Sequence, residues 1–209
     1  MVNLNELSKA LVEGDHRTVL ELTRKALSAK IPAKKILDEG LIPGIQKVGD
    51  LFGSGEYFLP ELLVSGKAMS GALKILEPEL ARADIPSKGR FLLGTVKGDI
   101  HNIGKDIVAM MLRGNGWTVT DMGVDIPPEA FCAEVEKGNY DILGMSVLLT
   151  MTMPFAAETI EALKKAGLRD KVKIMVGGAP TTQEWADKIG ADGWGSNCSE
   201  AVRVAAALM

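Results

Sequence analysis

The sequence predicts an α/β protein in two parts: a helices-only segment, then five strands alternating with helices in a doubly wound parallel sheet. Three observations predict it. Residues 3 to 81 carry apolar side chains at helical spacing only, and residues 82 to 89, Arg82-Ala83-Asp84-Ile85-Pro86-Ser87-Lys88-Gly89, read as a polar linker with Pro and Gly. From Arg90 onward, short apolar runs alternate with amphipathic stretches. The expected domains are therefore 1–87 and 88–209.

In the first part, Leu4, Leu7 and Leu11 make one stripe that Gly14 ends, and Asp15 is placed to cap a second helix carrying Val19, Leu22, Ala26 and Leu27. Pro32 suits the first turn of a third helix with Ile36, Leu37, Leu41, Ile45 and Val48. Pro43 falls inside that run and marks a kink or a break. Gly53-Ser54-Gly55-Glu56 leads into a fourth helix with Leu62, Leu63, Met69, Leu73, Leu76 and Leu80. Four short antiparallel helices make a bundle. Periodicity alone assigns Phe52, Tyr57, Phe58 and Leu59 to its core.

In the second part the expected strands are 91–96, 117–121, 141–147, 172–176 and a short one near 193. The expected helices are 103–113, 128–137, 154–166, 181–189 and 198–208. The order βαβαβαβαβα gives a parallel sheet with helices on both faces, in the flavodoxin-like (Rossmann-like) strand order 2-1-3-4-5.

The first strand stops at Lys97-Gly98-Asp99-Ile100-His101-Asn102-Ile103-Gly104. A histidine at the carboxyl end of a first strand lies where such sheets bind ligands. Asp99, two residues earlier, is placed to accept the ring N–H of a metal-ligating histidine, fixing its tautomer and raising its basicity. A plain loop histidine is the competing reading of the segment alone. Beyond it, Ser146-Val147-Leu148 ends the third strand and Gly177-Gly178 the fourth, so all three segments converge on one cleft.

The chain has 209 residues, 46% of them hydrophobic, enough for a globular core. A net charge of −3 without a basic stripe argues against nucleic acid as a partner. No secretory signal and no apolar run of about 20 residues are present, so a cytoplasmic protein without a membrane partner is expected. Cys132 and Cys198 lack metal-site spacing and read as free thiols. With only His16 and His101, a site built from several histidines is excluded.

The series Asp99-x-His101-x-x-Gly104, then Ser146-x-Leu148, then Gly177-Gly178 resembles the fingerprint of the cobalamin-binding domain of methionine synthase and the corrinoid methyltransferase proteins. Val48-Gly49-Asp50-Leu51-Phe52-Gly53-Ser54-Gly55-Glu56-Tyr57-Phe58-Leu59-Pro60 resembles the helical cap that precedes that domain, so the resemblance covers almost the whole chain. It implies a cobalamin or related corrinoid bound base-off/His-on, with His101 as lower axial ligand of cobalt. It implies cofactor contacts at Asp99, His101, Asn102, Ile103, Gly104, Ser146, Leu148, Thr150, Gly177 and Gly178. A relay of His101, Asp99 and Ser146 is expected beneath the cobalt, and Phe58, Leu59 and Leu62 are expected to cover the corrin from the cap.

The function so implied is that of a corrinoid methyl carrier in anaerobic one-carbon metabolism. Its cob(I)amide accepts a methyl group from a substrate-specific methyltransferase, and methyl-Co(III) delivers it to a second methyltransferase. The acceptor is expected to be tetrahydrofolate or a thiol cofactor, and a reductive activating protein is a further expected partner. No catalytic residue is expected on the chain beyond the cofactor, so it is a component of a multi-protein system and not a complete enzyme. Two other readings stand beside this one. A B12-dependent light sensor requires a DNA-binding module, which is not expected here. The small subunit of an adenosylcobalamin mutase is not expected to bring a helical cap of its own.

Overall fold

The computed structural model describes residues 3–82 and 87–209, and residues 83–86 of the expected linker lie outside the described residues. The chain divides into two compact units, one of residues 1–86 with 114–116, the other of 87–113 with 117–209.

The helical unit holds α1 (Leu4–Val12), α2 (His16–Ser28), α3 (Ala33–Ile36), α4 (Ile42–Gly53) and α5 (Leu59–Arg82). Gly14, at φ +71°, closes α1 in the left-handed region, and Asp15 caps α2 by accepting the Thr18 N–H at 3.0 Å and its hydroxyl at 2.7 Å. The expected third helix is α3 and α4 joined by a π turn, Leu37–Leu41. There the Ile42 N–H reaches the Leu37 carbonyl, five residues back. Pro43 lies in the first turn of α4, where its missing N–H is tolerated. The extra residue keeps Ile36, Leu37, Leu41, Ile45 and Val48 all buried. Gly40 and Gly44 sit against α1: a Cβ on Gly40 would meet Leu7 Cδ2 at 2.9 Å, and one on Gly44 the Ser8 carbonyl at 3.0 Å. The two bare positions let α4 and the π turn approach α1 closely. The start of α5 is set by Glu61, whose carboxylate accepts the Phe58 N–H at 2.9 Å.

The second unit is a five-stranded sheet of β1 (Arg90–Thr95), β2 (Thr118–Asp121), β3 (Ile142–Ser146), β4 (Lys173–Gly177) and β5 (Gly193–Gly195). All pairs are parallel and the order is β2-β1-β3-β4-β5, as the alternation predicts. The connecting helices are α6 (Ile103–Gly114), α7 (Pro128–Lys137), α8 (Met153–Lys165), α9 (Gln183–Ile189) and α10 (Cys198–Ala207).

Strand alternation sorts the apolar side chains into two layers. Leu92, Leu143, Met145, Ile174 and Val176 pack with Phe131 and Val135 of α7 and Ile160 and Leu163 of α8. Phe91, Leu93, Ile142 and Met175 pack on the other face with Ala109 and Leu112 of α6 and Ala201 and Ala205 of α10. Gly144 in β3 leaves room for the Phe91 ring, which a Cβ would meet at 2.4 Å. Phe91 in turn stands edge-on to Trp117, with ring centroids 6.0 Å apart.

Candidate functional site

Parallel pairing in register brings the three motifs to one edge of the sheet. Thr95 pairs with Ser146, Ser146 with Gly177 and Gly177 with Gly195, so a single row crosses the carboxyl ends of β1, β3, β4 and β5. The segments that follow β1 and β3 meet at Asp99.

Asp99 has no exposed side-chain surface, whereas the His101 side chain is 48% exposed. The Asp99 Oδ1 atom lies 2.8 Å from His101 Nδ1 and accepts the His101 backbone N–H at 3.1 Å. Its Oδ2 atom accepts the backbone N–H groups of Leu148 at 2.7 Å and Leu149 at 3.2 Å. Burial pushes this carboxyl up, but the N–H groups of Leu148, His101 and Leu149 together with the imidazole outweigh it and hold the carboxyl at about 2. An ionised carboxylate can only accept, so Nδ1 carries a proton, and in the neutral ring Nε2 keeps a lone pair. The ring is thus fixed from behind and open in front.

The hydroxyl on Asp99 is that of Thr152, not of Ser146. Thr152 Oγ1 lies 3.2 Å from Asp99 Oδ2 and 2.8 Å from the Leu149 carbonyl, so its one proton lies between two acceptors. Ser146 is half-buried in the strand row and accepts the Val96 N–H through its carbonyl at 3.1 Å. The expected relay is therefore corrected in its third member. The reason is local: Thr150–Thr152 form a 3₁₀ turn that carries position 152 back beneath the end of β3. The signal available in the sequence was the place of Thr152 immediately before Met153-Pro154, a helix start where a hydroxyl residue serves as cap. Here the side chain caps nothing and serves Asp99.

Asn102 accepts the Asp106 N–H through its carbonyl at 2.8 Å and donates from Nδ2 to the Asp106 carboxylate at 3.0 Å, fixing the start of α6. Lys105, almost wholly buried, bridges Asp121 at the end of β2 and Asp106. Gly104 faces open space, with nothing within 4 Å of the Cβ it lacks. Gly178 is the opposite case: at φ +124° a Cβ would lie 1.8 Å from the Val147 carbonyl oxygen. The Gly177-Gly178 turn is tied down by Thr181 Oγ1, which donates to the Gly178 carbonyl at 2.7 Å and accepts from Trp194 Nε1 at 2.8 Å.

Large apolar side chains are exposed on the segments that meet at Asp99: Ile100, Ile103, Leu148 and Met151. Thr150 is exposed beside them. An exposed apolar rim around a half-exposed imidazole marks a ligand surface. In the helical unit Phe58 is 67% exposed and Leu59 is 40% exposed, so neither belongs to the bundle core to which periodicity assigned them. Leu62 is wholly buried and presents no side chain to a ligand; the exposed neighbours are Leu63 and Val64.

Among the described residues, no group of three or more His, Cys, Asp or Glu side chains could hold a metal ion. A metal at His101 therefore brings its other ligands with it, as a corrin does, and the open Nε2, the bare Gly104 and the apolar rim fit such a macrocycle. Cys132 and Cys198 are free thiols; burial pushes both up, Cys198 to about 11.

Residues 89–203 match the B12 binding domain family, and residues 4–77 match a second family described as B12 binding domain. The chain belongs to the B12-binding protein family. It is 45% identical over 205 residues to a corrinoid protein of Desulfitobacterium hafniense, covering 97% of this chain and 95% of that one. It is 42% identical over 206 residues to dimethylamine corrinoid protein 3 of Methanosarcina acetivorans, covering 99% and 96%. Its fold matches a chain in the crystal structure of the methanol:cobalamin methyltransferase complex of Methanosarcina barkeri, with TM-score 0.84, 30% identity, and coverage of 98% of this chain and 78% of that one. The B12-binding chain thus carries its His101 loop on the same fold as proteins named for cobalamin. No helix among its described residues is long and apolar enough to cross a membrane.

Proposed function

We propose that this chain is a corrinoid methyl carrier that holds its cofactor base-off with His101 as lower axial ligand. The observation that carries the reading is the His101–Asp99 pair, with Nδ1 on a buried carboxylate at 2.8 Å and Nε2 left free. When bound, the corrinoid supplies a cobalt centre that takes up and gives away a methyl group.

The protein's part is to bind, orient and shield. Asp99 keeps the imidazole proton on Nδ1 and makes the ring a better donor. Asn102, Ile103, Leu148 and Thr150 would border the macrocycle, and Gly104, with nothing within 4 Å of the Cβ it lacks, would leave space for it. Ser146, Gly177 and Gly178, at the strand ends, would hold the displaced nucleotide tail. In the domain of residues 1–87, the exposed apolar side chains are Phe58, Leu59 and Leu63, whereas Leu62 is buried. The domain of residues 88–209 carries the ligand.

The carrier reading entails a division of labour. A substrate-specific methyltransferase activates the methyl donor, a second methyltransferase serves tetrahydrofolate or a thiol acceptor, and a reductive activating protein restores the reduced cobalt. The dimethylamine relative and the structural match in a methyltransferase complex support that class of partner. A cytoplasmic location follows from those partners.

The test mixes the reduced, corrinoid-loaded chain with methyltransferases specific for monomethylamine, dimethylamine, trimethylamine, methanol, glycine betaine or a methoxylated aromatic, each with its substrate, and follows the visible cobalt bands. Substrate-dependent methylation with one of them is expected. Failure with every member of the panel, when a known carrier succeeds with its own enzyme, would contradict the carrier reading.

A further inference from the structure

Two non-glycine residues among those described have φ in the left-handed region, Lys30 at the end of α2 and Asp125 at φ 56° between β2 and α7. A residue held there is strained, and it persists where its surroundings enforce the conformation. Aspartate is among the few side chains that tolerate it.

At Asp125 the surroundings are the histidine loop. Its Oδ1 accepts the Gly98 N–H at 2.7 Å, and its own N–H donates to the Asp99 carbonyl at 3.0 Å. The next residue continues the attachment: the Ile126 N–H reaches the Thr95 carbonyl at 2.9 Å, and Val96 and Ile126 form a parallel bridge. Residues 97–102 belong to no helix or strand. Their placement rests on this grip, on Thr95 Oγ1, which donates to the His101 carbonyl at 3.1 Å, on the Asp99 N–H, which donates to the Val96 carbonyl at 3.1 Å, and on the Asp99 carboxylate held by Leu148, Leu149 and Thr152. The Asp125 carboxylate acts one step outside the Asp99 cluster, on the peptide that precedes it.

We propose that Asp125 is a positioning residue for the axial ligand: by clamping the Gly98 and Asp99 peptides it holds the loop that presents His101 Nε2, so that ligation does not have to order the loop. The inference rests on the proposed His101 ligation and goes beyond it. Removing a group that hydrogen-bonds a metal ligand directly lowers affinity by roughly 10-fold to 100-fold, and Asp125, one step further out, is assigned the lower end of that range.

The experiment uses the full chain labelled with 15N in histidine and loaded with cob(II)alamin, read by electron paramagnetic resonance. A protein imidazole on cobalt gives a two-line 15N splitting, whereas the cofactor's own base gives three lines. Asp125→Gly removes the acceptor and leaves the left-handed backbone free of strain, so the fold is not put at risk. Asp125→Asn keeps an acceptor oxygen.

Wild type and D125N are expected to show the two-line splitting, and D125G a His-on to His-off ratio lowered about 10-fold. A D125G spectrum equal to wild type overturns the positioning role alone. Loss of the splitting in D125N as well as D125G also overturns it, because the amide retains the acceptor. A wild-type spectrum without 15N splitting, or one that persists in His101→Ala, overturns the ligation reading, and this inference with it.

Discussion

Both oxygens of Asp99 are occupied, Oδ1 by His101 and Oδ2 by the 148–152 turn. The carboxyl stands at about 2 in the folded chain against 3.8 for the free group, a difference that holds about 2 kcal/mol of folding stability. The sign follows from a depressed carboxyl: the contribution is complete above about pH 4 and is lost as pH falls toward 2. The stability gap between wild type and Asp99→Asn, measured by urea unfolding of the apo chain, is therefore expected to narrow below about pH 4. A gap that stays constant from neutral pH to pH 2 would contradict it. Thr152→Ala is expected to cost about 1 kcal/mol, because two backbone N–H groups remain on Oδ2, and Thr152→Ser should recover it. The Asp99–His101 contact was legible because a carboxylate two residues before a loop histidine can accept from its ring. Thr152 was not, because a 3₁₀ turn, invisible to apolar periodicity, decides which hydroxyl reaches the carboxylate.

Two glycines of the binding motifs separate structure from function at the level of the elements. In Gly178→Ala the new Cβ meets the Val147 carbonyl at 1.8 Å on a backbone at φ +124°, so a loss above about 3 kcal/mol, or failure to fold, is expected. Gly104→Ala meets nothing within 4 Å in the first turn of α6, and alanine there should stabilise the apo chain by about 0.5–1 kcal/mol while weakening corrinoid binding. Thermal unfolding and cofactor titration of the same variant read both halves; unchanged affinity would contradict the proposed contact. In the helical unit Gly44→Ala presses on the Ser8 carbonyl at 3.0 Å and should cost about 1–3 kcal/mol in chemical denaturation. The helices themselves were legible from their stripes. The π turn was not, since one extra residue in a run leaves its apolar positions buried, and Pro43 was the one visible sign of it.

For the molecule as a whole, strand order was readable because strands alternating with helices leave few ways to build a parallel sheet, and the order β2-β1-β3-β4-β5 puts β1 and β3 side by side. That adjacency brings three separated motifs to one edge of the sheet. Exposure was the less readable property: Phe58 and Leu62 stand four residues apart, the spacing that shares one face of a helix, yet one is exposed and the other buried, because α5 begins at Leu59 and Phe58 precedes it. The central claim is that this chain holds a corrinoid through His101, and an anaerobic visible spectrum of wild type and His101→Ala, each incubated with cobalamin and freed of unbound cofactor, tests it most directly. A retained corrinoid with a base-off, His-on spectrum in wild type that changes in the variant is the expected result. No retained corrinoid in either protein, or identical spectra in both, would contradict it.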